Sequence, residues 1–184
     1  MPQVNPEWNS YKLLAWVQSL GVDEADFLKA LVSQLPPGPV VVNIGAAAGA
    51  STMAMVEERP DDIFVFSIDT DPNAGEPIEL GKAGLACLNR VVRILGKSGE
   101  VGQHFPYAVD MVFVDGDHSY AGVVSDLLTW MPKVKPGGFL ACHDYHSPSL
   151  FDVRKAIDEH VPWAVAGDAG TIRAFLAPLN LGLG

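Results

Sequence analysis

The sequence predicts an α/β fold in which a doubly wound sheet is covered by helices on both faces. Five short apolar segments alternate along the chain with helical or loop segments, a pattern typical of such a sheet. The first apolar segment ends abruptly in a loop of small residues that opens a helix. Near the C-terminus, two further apolar segments lie only four residues apart, which predicts a hairpin and an antiparallel strand at the end of the sheet.

Two helices are predicted before the sheet. The segment from Trp8 to Leu20 carries apolar residues at helical spacing and is followed by Gly21, a helix stop signal. The second helix is predicted from Asp23, as its cap, to about Leu35, where a Pro-Pro-Gly sequence ends it. Both helices are expected to cover the edge of the sheet or the active site.

The predicted strands begin at Val40. The first strand is β-branched and continuously apolar, as expected for a strand buried on both faces of a parallel sheet. The five strands of the alternating region are Val40 to Ile44, Ile63 to Ile68, Val91 to Leu95, Val109 to Val114 and Gly138 to Cys142. The two hairpin strands are Trp163 to Ala166 and Thr171 to Ala177.

Length and composition narrow the class of protein. A chain of 184 residues is expected to form one domain, and its net charge of -10 opposes binding to nucleic acid or to anionic membrane surfaces. No apolar stretch approaches the roughly 20 residues of a membrane span, and the first residues lack the pattern of a secretory signal, so a cytoplasmic location is expected. Cys87 and Cys142 have neither metal-ligand nor redox spacing.

The loop after the first strand is suited to a ligand that contacts the main chain. Gly45 and Gly49 remove the Cβ atom where the chain turns tightly and where a ligand would approach. A dinucleotide fingerprint would place glycine where Ala47 stands, and a phosphate-binding P-loop would require a lysine that is missing. The loop therefore favours a ligand without a pyrophosphate, the alternative being a strand-to-helix connection without a ligand.

Acidic residues follow three of the predicted strands. In open α/β sheets, ligands bind beyond the carboxyl ends of the strands. Asp69 follows the second strand, where a carboxylate accepts hydrogen bonds from ribose hydroxyls. The fourth strand is followed by the segment Asp115 to His118, and the fifth by His143 and Asp144.

Together with the Pro136-Gly137-Gly138 turn and the final hairpin, these motifs resemble those of class I S-adenosylmethionine-dependent methyltransferases over Val40 to Ala177. The segments Phe113 to Tyr120 and Lys135 to Asp144 are similar to those of the small O-methyltransferase group, which includes caffeoyl-CoA, catechol and macrolide-sugar enzymes. The resemblance implies a Rossmann-like, seven-stranded sheet with a C-terminal antiparallel hairpin strand. It also implies one methyltransferase domain over residues 1–184, with a helical cover (1–37) and a cofactor-binding core (38–184).

The resemblance also implies roles for individual residues. Asp115, His143 and Asp144 lie where related enzymes bind a divalent metal, commonly Mg²⁺. His143 departs from the usual oxygen ligands, and imidazole favours Zn, Fe, Ni or Cu over Mg²⁺. Asn43 replaces the acidic residue that is common at the end of the first strand. The residues expected to bind S-adenosylmethionine are Asn43, Gly45, Ala46, Ala47, Gly49, Ser51, Asp69, Ser98 and Asp115, with Ser98 near the adenine.

The implied activity is O-methylation of a small hydroxylated molecule, either a phenol or catechol or a sugar. Methyl transfer needs proximity and an ionised acceptor oxygen, which a divalent ion promotes by lowering the pKa of a bound hydroxyl. His143 is the expected metal ligand or general base and His118 is the second candidate for the base, because imidazole titrates near neutral pH. For His118, the alternative is a role as the cap of the helix that begins near Ser119.

The sequence also allows three other functions. The first is a protein that binds S-adenosylmethionine without transferring its methyl group, and the second is a related natural-product hydroxylase-like enzyme. The third is an NAD-dependent oxidoreductase, which shares the sheet but requires the missing Gly-x-Gly sequence. The expected partners are a small-molecule acceptor and, by analogy, a second copy of the chain; nucleic acid and membrane are not expected.

Overall fold

The computed structural model describes residues 20–72, 76 and 88–179. The predicted helix from Trp8 therefore lies outside the described residues except for Leu20, as does Cys87. Within the described part of the chain, seven strands form one sheet: β1 (Val40–Ile44), β2 (Phe64–Asp69), β3 (Val91–Leu95), β4 (Val109–Val114), β5 (Val134–Cys142), β6 (Ala164–Ala169) and β7 (Ile172–Leu176). The helices of the same residues are α1 (Val22–Ser33), α2 (Ala50–Glu58), α3 (Ser98–His104), α4 (Tyr120–Trp130) and α5 (Phe151–His160).

The strand order is β3-β2-β1-β4-β5-β7-β6. The first five strands are parallel, whereas β7 runs antiparallel to both β5 and β6. The predicted doubly wound sheet with a C-terminal hairpin is therefore confirmed. The order reverses at β1, which pairs with β2 on one side and β4 on the other, so the loops after β1 and β4 lie next to each other.

The alternating side chains of the central strands are buried on both faces. On one face, Val42 of β1 packs in a core with Leu127 of α4 and Ile157 of α5. On the other face, Val41 packs in a second core with Leu28 of α1 and with residues of α2. Burial on both faces explains the continuous apolar sequence of β1 and leaves the carboxyl ends of the strands as the open edge of the sheet.

Five elements begin at positions other than those predicted. Strands β2, β6 and β7 each begin one residue later and β6 also ends three residues later, whereas β5 and α1 begin earlier. Strand β5 starts at Val134 rather than Gly138, because the register with β4 shifts between Val109 and Met111 and keeps the Pro-Gly-Gly segment within the strand. Helix α1 is capped at Gly21 rather than at Asp23. Its cap is stabilised by the Glu24 carboxylate, whose Oε2 accepts a hydrogen bond of 2.7 Å from the Gly21 amide.

No helix among the described residues has the length and apolar character needed to cross a membrane.

The two loops at the β1/β4 junction approach so closely that Gly45 has no room for a side chain. Its φ angle is +83°, and a Cβ atom there would overlap the carbonyl oxygen of Asp115. We expect Gly45→Ala to lower the free energy of unfolding by about 3–5 kcal/mol, because it combines left-handed strain with overpacking against backbone.

Gly38→Ala is the matched control. Gly38 also has a positive φ angle, +69°, but nothing lies within 4 Å of the position of its Cβ atom. Gly38→Ala should therefore lower the free energy of unfolding only by the cost of the left-handed strain, about 1–2 kcal/mol. Urea denaturation of both variants measures the difference, and equal losses would contradict the close approach of the two loops.

Candidate active site

A cavity of about 950 Å³ lies at the carboxyl ends of β1, β2, β4 and β5. The loops that follow these strands supply its walls, together with the first residues of α3 and part of α4. Of the residues predicted from the sequence, those that line the cavity are Gly45, Ala47, Asp69, Ser98, Asp115, His118, His143 and Asp144.

The loop after β1 is held in place by its neighbours on both sides. The Gly45 amide donates to the Ile68 carbonyl of β2 (2.9 Å), and the Asp115 amide donates to the Ile44 carbonyl (3.0 Å). Gly49 caps α2 with a φ angle of +89°. Ala47 also has a positive φ angle, 44°, so the loop contains left-handed backbone at a residue other than glycine.

Asp69 joins this loop to the end of β2. Its Oδ2 accepts a hydrogen bond of 2.8 Å from the Ala47 amide, and its Oδ1 accepts one of 2.8 Å from the Asp71 amide. Both carboxylate oxygens keep further lone pairs. The carboxylate therefore holds the loop and lines the cavity at the same time.

Asn43 and Ser51 lie beneath the loop rather than on the cavity wall. Asn43 is fully buried, and its Nδ2 donates to the hydroxyls of Ser51 (3.0 Å) and Thr52 (2.8 Å). Both hydroxyls are therefore bonded to Asn43 beneath the loop. Ala46 is buried as well.

Glu76 completes this buried network and was missed by the sequence analysis. Its carboxylate is fully buried and accepts hydrogen bonds from Ser67 Oγ (2.7 Å) and from the Thr52 hydroxyl. Arg93 on β3 forms an ion pair with it, with 3.1 Å between Nε and Oε2. The residue comes from a glycine-rich segment that carries no sequence signal for a site.

Ser98, predicted to lie near the adenine, is the first residue of α3 and donates its hydroxyl to Asp126. Asp126 lines the same cavity from α4 and is only 4% exposed. Burial raises the pKa of Asp126 to about 6, although the hydrogen bond from Ser98 opposes the shift. A role for Asp126 was not predicted from the sequence, because only the packing of α3 against α4 shows that the residue lies beside the cavity.

Two carboxylates and two imidazoles meet at the ends of β4 and β5. His118 Nε2 lies 3.4 Å from Asp115 Oδ1 and 3.2 Å from Asp144 Oδ2. His143 Nδ1 lies 3.2 Å from each of the same two oxygens. Asp144 has a left-handed backbone with a φ angle of 59°. Aspartate tolerates this conformation better than most residues, but strain of this kind is often found at functional sites.

His143 is held from behind by Glu24 and Thr171. Its Nε2 lies 3.3 Å from Glu24 Oε2 and 3.3 Å from the Thr171 hydroxyl, and only 11% of its side chain is exposed. Its Nδ1 is buried and faces one oxygen of Asp115 and one of Asp144. Burial by itself lowers the pKa of His143, but hydrogen bonding with Asp115, Asp144 and Glu24 raises it to about 12.

The donor set fits a divalent metal ion. Asp115, His118 and Asp144 each offer one ligand atom, and these atoms lie within 4.8 Å of one another. Nδ1 of His143 faces the same two carboxylates and, once it has released its proton, adds a further nitrogen ligand. Two carboxylate oxygens with imidazole nitrogen suit a transition metal better than Mg²⁺.

His118 does not cap α4. The cap is Ser119, whose hydroxyl accepts a hydrogen bond of 3.1 Å from the Gly122 amide. Asp117 supports the same turn by accepting a hydrogen bond of 2.8 Å from the Ser119 amide. The His118 ring is therefore free of a capping role and stands at the mouth of the site with 43% of its side chain exposed.

The sequence of the chain matches a known protein family. A family model described as a methyltransferase domain matches residues 42–145, which include most of β1, all of β2, β3, β4 and β5, and most of the candidate site. No curated protein sequence matches the chain.

The fold is similar to that of three solved structures, which at these identities shows the fold alone. The cofactor-bound protein Rv0187 from MTB is 16% identical, with a TM-score of 0.76 over 96% of this chain and 91% of the other. An O-methyltransferase from Bacillus cereus in complex with SAH is 15% identical, with a TM-score of 0.74 over 93% and 92%. The O-methyltransferase TomG from Streptomyces achromogenes, involved in tomaymycin synthesis and in complex with SAM, is 14% identical, with a TM-score of 0.72 over 96% and 92%.

The buried carboxyl group of Asp126 gives a pH-dependent prediction. Because its pKa in the folded protein is above the usual 3.8, ionisation destabilises the fold, and stability is lost as the pH rises through about 6. Asp126→Asn should therefore raise the free energy of unfolding at about pH 8, by at most about 3 kcal/mol, and should change it little at about pH 4. Urea denaturation at both pH values checks this, and a gain that is the same at both would contradict it.

Proposed function

Because the chain belongs to the methyltransferase domain family, we propose that it transfers the methyl group of S-adenosylmethionine to an oxygen of a small hydroxylated molecule, assisted by a divalent metal ion. The observation that carries the proposal is the meeting of Asp115, Asp144, His118 and His143 at one end of the cavity that the glycine loop lines.

The cavity supports the choice of cofactor. Asp69 stands at the carboxyl end of β2, with lone pairs left to accept hydrogen bonds from ribose hydroxyls. Ser98 and Asp126 offer polar atoms at the far end for an adenine. Structures similar in fold contain SAH or SAM, and both of those are described as O-methyltransferases.

The carboxylates support metal assistance. Asp115 and Asp144 project from adjacent strands and present oxygens on either side of the two imidazoles. A divalent ion held by Asp115, Asp144 and His143 would lower the pKa of an acceptor hydroxyl. Adjacent hydroxyls chelate such an ion better than a single hydroxyl does, so a catechol or a vicinal sugar diol is the favoured acceptor class.

We assign the two imidazoles different roles from their exposure. His143 is enclosed, and each of its nitrogens faces carboxylates of the chain. His118 stands at the mouth of the cavity, where it can reach an acceptor hydroxyl, and its hydrogen bond to Asp115 raises its pKa and makes the neutral ring a stronger base. His118 is therefore the proposed general base and His143 the proposed metal ligand.

The cofactor assignment predicts the effect of removing the carboxylate of Asp69. Asp69→Ala should weaken binding of S-adenosylhomocysteine by about 10- to 100-fold, because two hydroxyl contacts to a charged acceptor are lost and the Ala47 amide loses its partner. Titration calorimetry measures this affinity. Asp152→Ala is the charge-matched control, because Asp152 is exposed in the first turn of α5 and is not part of the cavity wall; its affinity should match that of the unmodified protein.

The metal assignment is tested by Asp144→Asn. This variant should turn over catechols and vicinal diols at least about 100-fold more slowly than the unmodified protein. Turnover is measured as the S-adenosylhomocysteine released by chelator-treated protein after addition of Mg²⁺, Mn²⁺, Co²⁺ or Zn²⁺. Binding of S-adenosylhomocysteine without metal should stay within a few-fold, because the Asp144 carboxylate contacts His118 and His143 rather than the loop after β1. Undiminished turnover in the variant would exclude metal assistance through Asp144, and failure of the unmodified protein to bind S-adenosylhomocysteine would overturn the proposed function as a whole.

A further inference from the structure

Glu24 lies in the first turn of α1, 119 positions before His143, yet its carboxylate is buried against the site. Its Oε1 accepts hydrogen bonds from the Thr171 amide (2.7 Å) and the Thr171 hydroxyl (2.8 Å). Its Oε2 accepts from the Gly21 amide (2.7 Å) and lies 3.3 Å from His143 Nε2. Three backbone and hydroxyl donors thus point at the two oxygens of Glu24, an arrangement that favours the charged carboxylate.

The packing leaves this carboxylate no other position. Gly170, in the turn between β6 and β7, has a φ angle of +54°, and a Cβ atom there would lie 2.5 Å from Glu24 Oε1. The hairpin turn thus closes over Glu24 on one side, while the start of α1 encloses it on the other. Glu24 is 6% exposed.

The fixed carboxylate determines which nitrogen of His143 keeps its proton when a metal ion binds. A carboxylate only accepts hydrogen bonds, so the nitrogen that faces Glu24, Nε2, keeps its proton. Nδ1 faces oxygens of Asp115 and Asp144 at 3.2 Å each, so a metal ion held by these carboxylates takes the place of the Nδ1 proton and binds the lone pair. A histidine that binds a metal commonly donates its other N–H to a carboxylate, which is the arrangement of Nε2 and Glu24.

We propose that Glu24 is a positioning residue that presents Nδ1 of His143 as a nitrogen ligand beside Asp115 and Asp144, so that the site prefers a transition metal such as Co²⁺ or Zn²⁺ to Mg²⁺. The inference rests on the proposed function for the presence of a divalent ion, but it requires neither a particular acceptor nor turnover.

The decisive variant is Glu24→Gln, which keeps the shape of the side chain. Whichever way its amide is turned, glutamine removes the negative charge that holds a proton on Nε2, and with it the preference for the neutral ring whose Nδ1 lone pair faces the site. We expect the affinity for Co²⁺ and Zn²⁺, measured by calorimetry on chelator-treated protein, to fall by about 10- to 100-fold, as is typical when such a partner is lost. The affinity for Mg²⁺ should be low in both proteins and change little.

Asp23→Asn is the matched control, because Asp23 is the neighbouring acid in the same turn of α1 and does not line the cavity. Its metal affinities should equal those of the unmodified protein. Histidine ¹⁵N resonances add a readout that a merely structural role would not move: Zn²⁺ should shift the Nδ1 resonance of His143 in the unmodified protein and leave it in place in Glu24→Gln. Equal Co²⁺ and Zn²⁺ affinity in the two proteins, or a His143 ring that stays doubly protonated with metal present, would overturn the inference.

His143→Asp keeps the inference testable if Glu24→Gln fails to fold. This variant supplies oxygen in place of nitrogen and should move the preference toward Mg²⁺ by about tenfold or more relative to Co²⁺. An unchanged preference would show that His143 is not a ligand. The proposed function is tested by a different measurement. It is overturned if the unmodified protein does not bind S-adenosylhomocysteine, and this binding is measured without metal.

Discussion

The pairing of β1 with β4 is the constraint on which the site depends. The two parallel strands bring the loop after Ile44 and the loop after Val114 side by side, and a hydrogen bond between the Asp115 amide and the Ile44 carbonyl joins them. Only a residue without a side chain fits at Gly45. One close backbone contact therefore sets both the path of the cofactor loop and the place from which Asp115 projects, which couples the two halves of the proposed reaction geometrically.

Charge is the second organising factor. Carboxylates from three separate parts of the chain, Glu24, Asp115 and Asp144, surround the single imidazole of His143. This arrangement raises the pKa of His143 to about 12 and lowers the pKa of Asp144, so the ring and the carboxylates hold each other in their charged forms when no other cation is present. A metal ion would have to displace a proton from this ring, which makes proton release part of metal binding. The positive charge of His143 also offsets the repulsion among the three carboxylates, which allows them to lie close together.

The sequence predicted the parts of the fold that depend on local patterns. The bounds of β1, β3 and β4 are as predicted, because these short apolar runs end at clear breaks. The glycine loop and the acidic residues after the strands were also predictable, since the carboxyl ends of parallel strands share one edge of the sheet. The pattern could not show that β5 begins before its Pro-Gly-Gly segment, because a shift in register with β4 is a property of the pair of strands.

Residues whose roles depend on distant contacts could not be predicted in this way. Glu24 looks like an ordinary acidic residue in the first turn of a helix, and Asp126 like one on a helix surface. Only the packing of α1 against the hairpin, and of α3 against α4, buries them beside the cavity. Likewise, Ser51 was expected to contact the cofactor from the helix start, but its hydroxyl is bonded to Asn43 beneath the loop.

Asn43 shows why a single replaced residue does not by itself describe the charge of a site. Because Asn43 replaces a residue that is commonly acidic, its amide would imply one negative charge fewer near the cofactor. In the structure, the Asn43 amide donates to the Thr52 hydroxyl, which in turn donates to the buried carboxylate of Glu76. A second carboxylate on β1 would repel Glu76 across one hydroxyl, whereas the amide supplies the donor that the chain of hydrogen bonds requires. The negative charge is thus still present beneath the loop, carried by Glu76 and partly balanced by Arg93, and the asparagine is the residue that makes this arrangement stable.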